Sequence, residues 1–376
     1  MFPYPYLAVF AASAGAAFLT TPLVRRLAIR FGAVDQPSDR KVHPKPTPTL
    51  GGIAIFLGLL AGLGLSRGLS FFEDLHRTSS EVVAVAAAAA VIVVVGAFDD
   101  VKGSTVPTKL AGQVLAAGVL VLLGVQLLYL WLPGQDILAL GPDLSVAVTL
   151  IWVLAMVNAI NLIDGLDGLA AGIVAIAAVA FFWYTFRSPP DLLGEPSVAA
   201  LLSAVTAGAA LGFLPWNFHP ARIFMGDSGA MLLGLLLASA TASGVGRNLF
   251  PPAAGDFAVF AIPAVVPLFV LAVPVLDVAW AIARRVRRGR PVHHADKEHV
   301  HHRLMDIGHS HRQAVVLLYV WSALISGCGL AVGLIDGRLA VGLIVVGSLT
   351  VLLLTLLPRM RRRRPTLVPV DDERVA

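Results

Sequence analysis

Eleven windows of roughly 20 predominantly apolar residues run through this chain, at about 4–24, 50–68, 80–98, 108–131, 144–163, 167–186, 197–214, 228–246, 257–282, 314–335 and 339–357. Each is long enough to cross the hydrocarbon core of a bilayer as a helix. Backbone polar groups inside lipid must be satisfied within the spanning structure, so the sequence predicts an all-α polytopic membrane protein of about eleven transmembrane helices. Composition agrees. Hydrophobic residues make up 57% of the chain and charged ones 14%, against about 25% charged in a soluble domain. The mean hydropathy is +0.82 and the pI about 9.6. The basic residues lie between apolar runs, which reads as topology and excludes nucleic-acid binding. The lone Cys328 excludes a disulfide framework and reads as a packed thiol.

Charge placement predicts orientation. No basic residue precedes the apolar core of the first window, whereas Arg25, Arg26 and Arg30 follow it. This is the reverse of a cleaved signal and predicts a retained first span with its N-terminus outside. Eleven spans then place the C-terminus in the cytoplasm. By that topology 23 of the 28 Lys and Arg residues fall in cytoplasmic segments, leaving Arg67, Arg77, Arg187, Arg247 and Arg338 outside. Residues 1–358 are expected to form one integral membrane domain and 359–376 a basic cytoplasmic tail, Arg359 to Arg364 being a membrane-surface anchor.

With sidedness assigned, Asp35, Asp39, Asp99, Asp100, Asp164, Asp167, Asp227 and Asp277 all fall at or near cytoplasmic helix ends. The densest polar block is Asn158-Ala-Ile-Asn161-Leu-Ile-Asp164-Gly-Leu-Asp167-Gly168, directly after the apolar run 146–157. Ionisable groups near membrane depth are expensive and mark functional sites unless they are buried with partners. Interhelical hydrogen bonding is the plainer alternative, but two amides, two carboxylates and two glycines in eleven residues favour a ligand or metal site at a broken helix end.

Three other blocks share that rim. Asp99-Asp100 closes the third window. Adjacent carboxylates need a cation nearby, either Lys102 or a hard metal such as Mg²⁺, which takes one or two carboxylates together with substrate phosphate oxygens. Lys109 is a rim anchor or, beside a diphosphate, a phosphate-binding charge. Phe224-Met-Gly-Asp227-Ser-Gly229 opens the eighth window; Asp227 is either a helix cap or a metal ligand, with backbone N–H groups free for phosphate. The long hydrophilic stretch 283–313 carries His299-Val-His301-His302-Arg303 without any cysteine. Imidazoles binding a diphosphate or sugar suit it better than zinc.

Together and in this order, these blocks resemble the polyprenyl-phosphate N-acetylhexosamine-1-phosphate transferase family, most closely its WecA/TagO-like branch, the undecaprenyl-phosphate GlcNAc-1-phosphate transferases. The matching stretches are Asp35 to His43 with Pro46 to Gly52, Phe98 to Asp100, Asn158 to Gly168, Phe224 to Gly229 and Ala295 to Leu304. The resemblance covers roughly residues 20–320, and the combination is far more specific than any single block. It implies Mg²⁺-dependent (or Mn²⁺-dependent) transfer of GlcNAc-1-phosphate from UDP-GlcNAc to a polyprenyl phosphate with release of UMP, as the first lipid-linked step of a cell-envelope polysaccharide. It implies a multi-pass protein of the cell membrane with its site on the cytoplasmic face, lipids as partners, and leaves a homodimer open. Carried over by position, Asp227 is the main metal ligand with Asn161 as companion, Asp99, Asp100, Asp164 and Asp167 are the catalytic aspartates, and Asp99, of the adjacent pair Asp99-Asp100, is the candidate general base. Asp164, Asp167 and Lys109 line the nucleotide and diphosphate site, while His43, Asn158, Asn161, His299, His301, His302 and Arg303 contact substrate.

Two other readings compete. An MraY-type transferase acting on UDP-MurNAc-pentapeptide shares the reaction, but the motif reads His-Val-His-His instead of three consecutive histidines. A secondary transporter would place charges at the midplane within repeated halves; here no repeat is visible and the polar groups crowd one rim.

Overall fold

The computed structural model describes residues 4–37, 45–130, 138–187, 196–245 and 310–334, with isolated helical positions at 282–283, 285–287, 342, 346–347 and 350. Ten helices fill these segments. They are α1 (Tyr4–Arg30), α2 (Gly51–Gly68), α3 (Glu73–Thr78), α4 (Glu81–Lys102), α5 (Val106–Leu122), α6 (Pro142–Ile163), α7 (Leu169–Arg187), α8 (Val198–Asn217), α9 (Gly226–Val245) and α10 (His311–Leu334). Six of them, α1, α2, α4, α6, α7 and α8, are long and apolar enough to cross a bilayer, and the chain is a multi-pass membrane protein. The expected spans 257–282 and 339–357, the loop 284–309 apart from 285–287, and the tail 359–376 lie outside the described residues.

The burial pattern is that of a bundle in lipid. Helix α9 runs through the middle, with Ala230, Met231, Leu232, Leu233, Leu235, Leu236 and Ala238 all fully buried. Around it the outer helices turn large apolar side chains outward; Leu19, Val94, Ile151 and Leu122 are all more than 60% exposed. Such a surface is costly in water and suits lipid contact. Tyr6 meets Phe71, Phe72, Phe182 and Phe186 edge-to-face, joining α1, the turn after α2, and α7.

Helix direction alternates so that α1, α4, α6 and α8 end where α2, α5, α7, α9 and α10 begin. Hydrogen bonds tie these termini together: Gly51 N to Phe224 O at 3.0 Å, Gly52 N to Met225 O at 2.9 Å, and Phe224 N to Pro48 O at 2.8 Å. The close approach of α2 and α4 to α9 needs glycine. A Cβ on Gly52 or Gly96 would run into the backbone of Ser228 and its neighbours.

The protein is mostly helical, as expected, and two short antiparallel ribbons lie outside the helices, pairing Val34–Asp35 (β1) with Thr47–Pro48 (β2), and Tyr129–Leu130 (β3) with Leu138–Ala139 (β4). The expected window 108–131 is too long for its helix, α5. Helix α5 stops at Leu122, and Gly124 adopts φ 97°, a conformation open chiefly to glycine. Residues 125–128 then run irregularly beside the start of α6. Their backbone is satisfied by Thr149 Oγ1, which accepts from Leu127 N at 2.9 Å, and by Ser145 Oγ, which donates to Leu127 O at 2.8 Å. Non-helical backbone is tolerated there because protein supplies its partners.

Candidate active site

Helix α9 begins at Gly226, whose φ of 69° turns the chain sharply into the helix. A Cβ at Gly226 would strike the Asp100 carboxylate. That carboxylate caps the helix. It accepts from Asp227 N at 2.7 Å, from Ser228 N at 3.2 Å and from Ser228 Oγ at 2.7 Å. The N–H groups that the sequence offered to phosphate are therefore taken by protein, since a carboxylate on a helix N-terminus satisfies orphan donors and complements the dipole.

Capping by Asp100 turns Asp227 toward the helices opposite. Asn161 Nδ2 of α6 donates to its Oδ1 at 2.5 Å, and Lys109 Nζ of α5 pairs with its Oδ2. Lys109 also lies 3.2 Å from Asp99 Oδ2 and donates to Asn161 Oδ1 at 3.3 Å. Local structure delivers this lysine. Gly103 (φ 71°) ends α4, and its N–H returns to Asp99 O at 2.8 Å. Thr105 then caps α5, accepting from Thr108 N at 3.4 Å. A three-residue reversal thus sets Lys109 beside Asp99. Asn158 lies one turn earlier on α6 and is engaged between helices: its Nδ2 donates to Gln113 Oε1 at 2.8 Å and to Leu154 O at 2.7 Å.

The second half of the site is the turn that joins α6 to α7. Helix α6 stops at Ile163, and Gly168 (φ 80°) admits the reversal. Asn217 clamps the turn, accepting from Gly168 N at 3.1 Å and donating to Ile223 O at 3.1 Å. Tyr319 of α10 donates to Gly168 O at 2.5 Å, and its ring lies where a Cβ of Gly172 would go. Asp167 Oδ2 accepts from Ala221 N at 3.0 Å and meets His219 Nδ1 at 2.8 Å. The His219 ring stacks on His311 of α10, centroids 4.1 Å apart and planes 19° apart. Arg312 Nε adds a bond to His219 O at 3.1 Å. Desolvation first, then the charges of Asp227, Asp100 and Asp167, push the Asp164 carboxyl well above the ordinary carboxylate range.

Two groupings have metal-ligand character. Asp227 and Asp99 offer carboxylate oxygens and Asn161 an amide oxygen, and the two carboxylates share the Lys109 ammonium, with the charges of Asp227 and Asp100 also felt at Asp164. An oxygen-only set with excess negative charge fits Mg²⁺ or Mn²⁺. Asp167, His219 and His311 have potential ligand atoms within 4.8 Å of one another. Near-parallel stacked rings, however, direct their nitrogen lone pairs side by side and away from a common point. That grouping reads better as a stack steadying Asp167.

The structure thus joins Asp99, Asp100, Lys109, Asn161 and Asp227 directly, with Asp164 and Asp167 on the adjoining turn. His43, His299, His301, His302 and Arg303 lie outside the described residues. Sequence reasoning missed His219, His311, Arg312 and Tyr319. One signal was present: Ser310 and Gln313 form a capping box, Ser310 N donating to Gln313 Oε1 at 2.8 Å and Gln313 N to Ser310 Oγ at 3.3 Å. It marks a helix start that sets His311 at the rim.

Comparison with known proteins agrees with this geometry. The pattern of glycosyl transferase family 4 matches residues 82–245. A decaprenyl-phosphate N-acetylglucosaminephosphotransferase of Mycobacterium leprae is 41% identical over 353 residues, which is 92% of this chain and 88% of that protein. The chain belongs to the polyprenyl-phosphate N-acetylhexosamine-1-phosphate transferase family. Other members include a probable undecaprenyl-phosphate N-acetylglucosaminyl 1-phosphate transferase of Bacillus subtilis, 36% identical over 80% of this chain and 78% of its own length. The undecaprenyl-phosphate alpha-N-acetylglucosaminyl 1-phosphate transferase of Escherichia coli is 29% identical over 83% of this chain and 81% of its own length. Within this transferase, the matched segment 82–245 contains Asp99, Asp100, Lys109, the turn 158–168, His219 and Asp227. Helix α10, which braces the turn from outside, falls beyond that segment.

Proposed function

We propose that this protein transfers GlcNAc-1-phosphate from UDP-GlcNAc to a polyprenyl phosphate, giving polyprenyl-diphospho-GlcNAc and UMP. The observation that carries this reading is the Asp227 carboxylate, fixed between Asn161 and Lys109 at the start of α9 with Asp99 alongside, in a chain whose relatives are named for this transfer to decaprenyl and undecaprenyl phosphate. In the reaction, an acceptor phosphate oxygen bonds to the sugar-bearing phosphorus of the donor. The bond from that phosphorus to the bridging oxygen breaks, and UMP leaves with the electron pair.

Such transfer is governed by positioning and by neutralising charge on phosphate oxygens. Lys109 supplies a fixed positive charge for that purpose, and its pairing with both Asp99 and Asp227 holds it in place. Asp227, Asn161 and Asp99 would hold Mg²⁺, which would supply positive charge to neutralise the donor diphosphate. Asp100 acts through the helix it caps. The turn 164–168, clamped by Asn217 and Tyr319, is suited to seating the nucleotide. The acceptor phosphate has a second pKa of about 6 and is already mostly ionised at neutral pH. Little proton abstraction is needed, so Asp99 serves mainly to orient Lys109 and the metal.

The finer topology belongs to the same proposal: eleven spans, N-terminus outside, C-terminus and active site on the cytoplasmic face of the cell membrane. It is supported by the concentration of basic residues on one side. A cytoplasmic rim also gives a water-soluble nucleotide-sugar access while the acceptor's tail stays in hydrocarbon. Membranes containing the protein, offered labelled UDP-GlcNAc and labelled UDP-MurNAc-pentapeptide in parallel, test the donor. Label entering lipid from UDP-GlcNAc alone is expected; label from the peptide donor alone would assign the MraY-type reaction instead.

A further inference from the structure

Away from the carboxylate cluster, on the lipid-facing side of the same rim, a cavity of about 430 Å³ is lined by Pro22, Arg25 and Arg26 of α1, Trp216 of α8, and Arg222 of the loop leading to α9. Its polar lining is cationic throughout, and among the described residues no carboxylate pairs with any of the three arginines. Two of the three are held in place. Arg25 Nε donates to Arg222 O at 2.9 Å, leaving its terminal nitrogens for another acceptor. The Arg222 guanidinium lies over the Trp216 ring, 5.5 Å from its centroid, and Trp216 is fixed in turn by its Nε1 bond to Phe18 O at 3.1 Å. Planar guanidinium groups held in this way match phosphate oxygens in shape and charge.

The surroundings specify what kind of phosphate. Along α1, the strip beside the cavity presents Phe18, Leu19, Leu23 and Leu27, each at least 43% exposed. A basic hollow that opens onto a bare apolar strip is complementary to an amphiphile with an anionic head and hydrocarbon tails. The five lining residues are not among those that bond to Asp99, Lys109, Asn161 or Asp227.

We propose that this cavity is a binding site for the phosphate of an anionic glycerophospholipid, distinct from the polyprenyl phosphate acceptor site. Arg25 and Arg222 grip the phosphodiester, Arg26 adds long-range attraction, and the acyl chains lie along α1. Arg222 stands five residues before Asp227, so a bound lipid also steadies the loop on which α9 is set.

The test uses the full chain, purified in detergent, incubated with phosphatidylglycerol or phosphatidylcholine and examined by native mass spectrometry. Wild type is expected to retain phosphatidylglycerol selectively. Arg25→Gln and Arg222→Gln, singly and together, are expected to lower that retention roughly tenfold, as loss of a charge-assisted contact would. Thermal unfolding in phosphatidylcholine alone should stay unchanged and thus exclude misfolding; if the double variant unfolds early, the single variants decide. Equal retention of both lipids by wild type, or equal phosphatidylglycerol retention in wild type and folded variants, would overturn the site. Displacement of phosphatidylglycerol by an equimolar polyprenyl phosphate would assign the cavity to the acceptor and overturn it equally.

Discussion

Asp100 and Asp227 carry the same side chain and touch each other, yet they do different work. Asp100 spends both carboxylate oxygens on the α9 terminus, whereas Asp227 directs its own toward Asn161 and Lys109. Replacing Asp227 by Ala should lower UMP release by about a thousandfold or more, the scale for losing a central electrostatic element. It should also abolish any rise in unfolding temperature produced by Mg²⁺. Asp99→Asn should lose clearly less activity, because the acceptor phosphate is already ionised. Equal and total loss in both, with an acid limb near a carboxylate pKa, would make Asp99 the general base. Asp164 gives a pH signature. Its folded-state pKa is raised above the unfolded value of about 3.9. Between those two values the folded state binds a proton that the unfolded state has lost, so stability falls as pH rises through that window. In chelator, Asp164→Asn should therefore flatten the decline in unfolding temperature as pH rises above the unfolded-state pKa. Parallel curves for variant and wild type would show that Asp164 is not desolvated.

At the scale of elements, helix α10 braces the turn 164–168 from outside the carboxylate cluster. Tyr319 reaches Gly168 O, and His311 with Arg312 secures His219, which in turn holds Asp167. Tyr319→Phe should cost about 0.5–1.5 kcal/mol of stability. It should raise KM for the nucleotide-sugar more than it lowers kcat, because it loosens a binding turn without touching a reacting group. Unchanged kinetics would confine α10 to packing. Elements of this kind divide what sequence can reveal. Long apolar runs placed α2, α4, α6, α7 and α8 closely, because hydrophobic length is a local property. The run 108–131 misled, since the exit at Gly124 depends on Ser145 and Thr149 supplying backbone partners from another helix. Asp99-Asp100, Lys109, Asn161 and Asp227 stood out as expensive polar groups at helix ends. Nothing local separated the capping Asp100 from the outward-facing Asp227, or tied His219 to His311 across 92 residues of chain. Those distinctions arise only when helix termini meet.

For the whole molecule, the decisive arrangement is the gathering of nine helix termini at one end of the bundle, which brings all the described titratable groups of the site within reach of one another. By the proposed topology that end faces the cytoplasm. In a Cys328→Ala background, cysteines introduced as Arg30→Cys and Arg187→Cys should react with an impermeant thiol reagent from opposite sides, Arg187→Cys from outside whole cells. Labelling of Arg30→Cys from outside would invert the topology. What defines the proposed transfer is which bond breaks. Purified protein should be given UDP-GlcNAc labelled in the sugar and, separately, in the β-phosphate, with polyprenyl phosphate and Mg²⁺, and both lipid and nucleotide products should be analysed. Both labels should enter lipid in equal amount with stoichiometric UMP. Sugar label entering lipid without the β-phosphate, with UDP as the nucleotide product, would contradict the account.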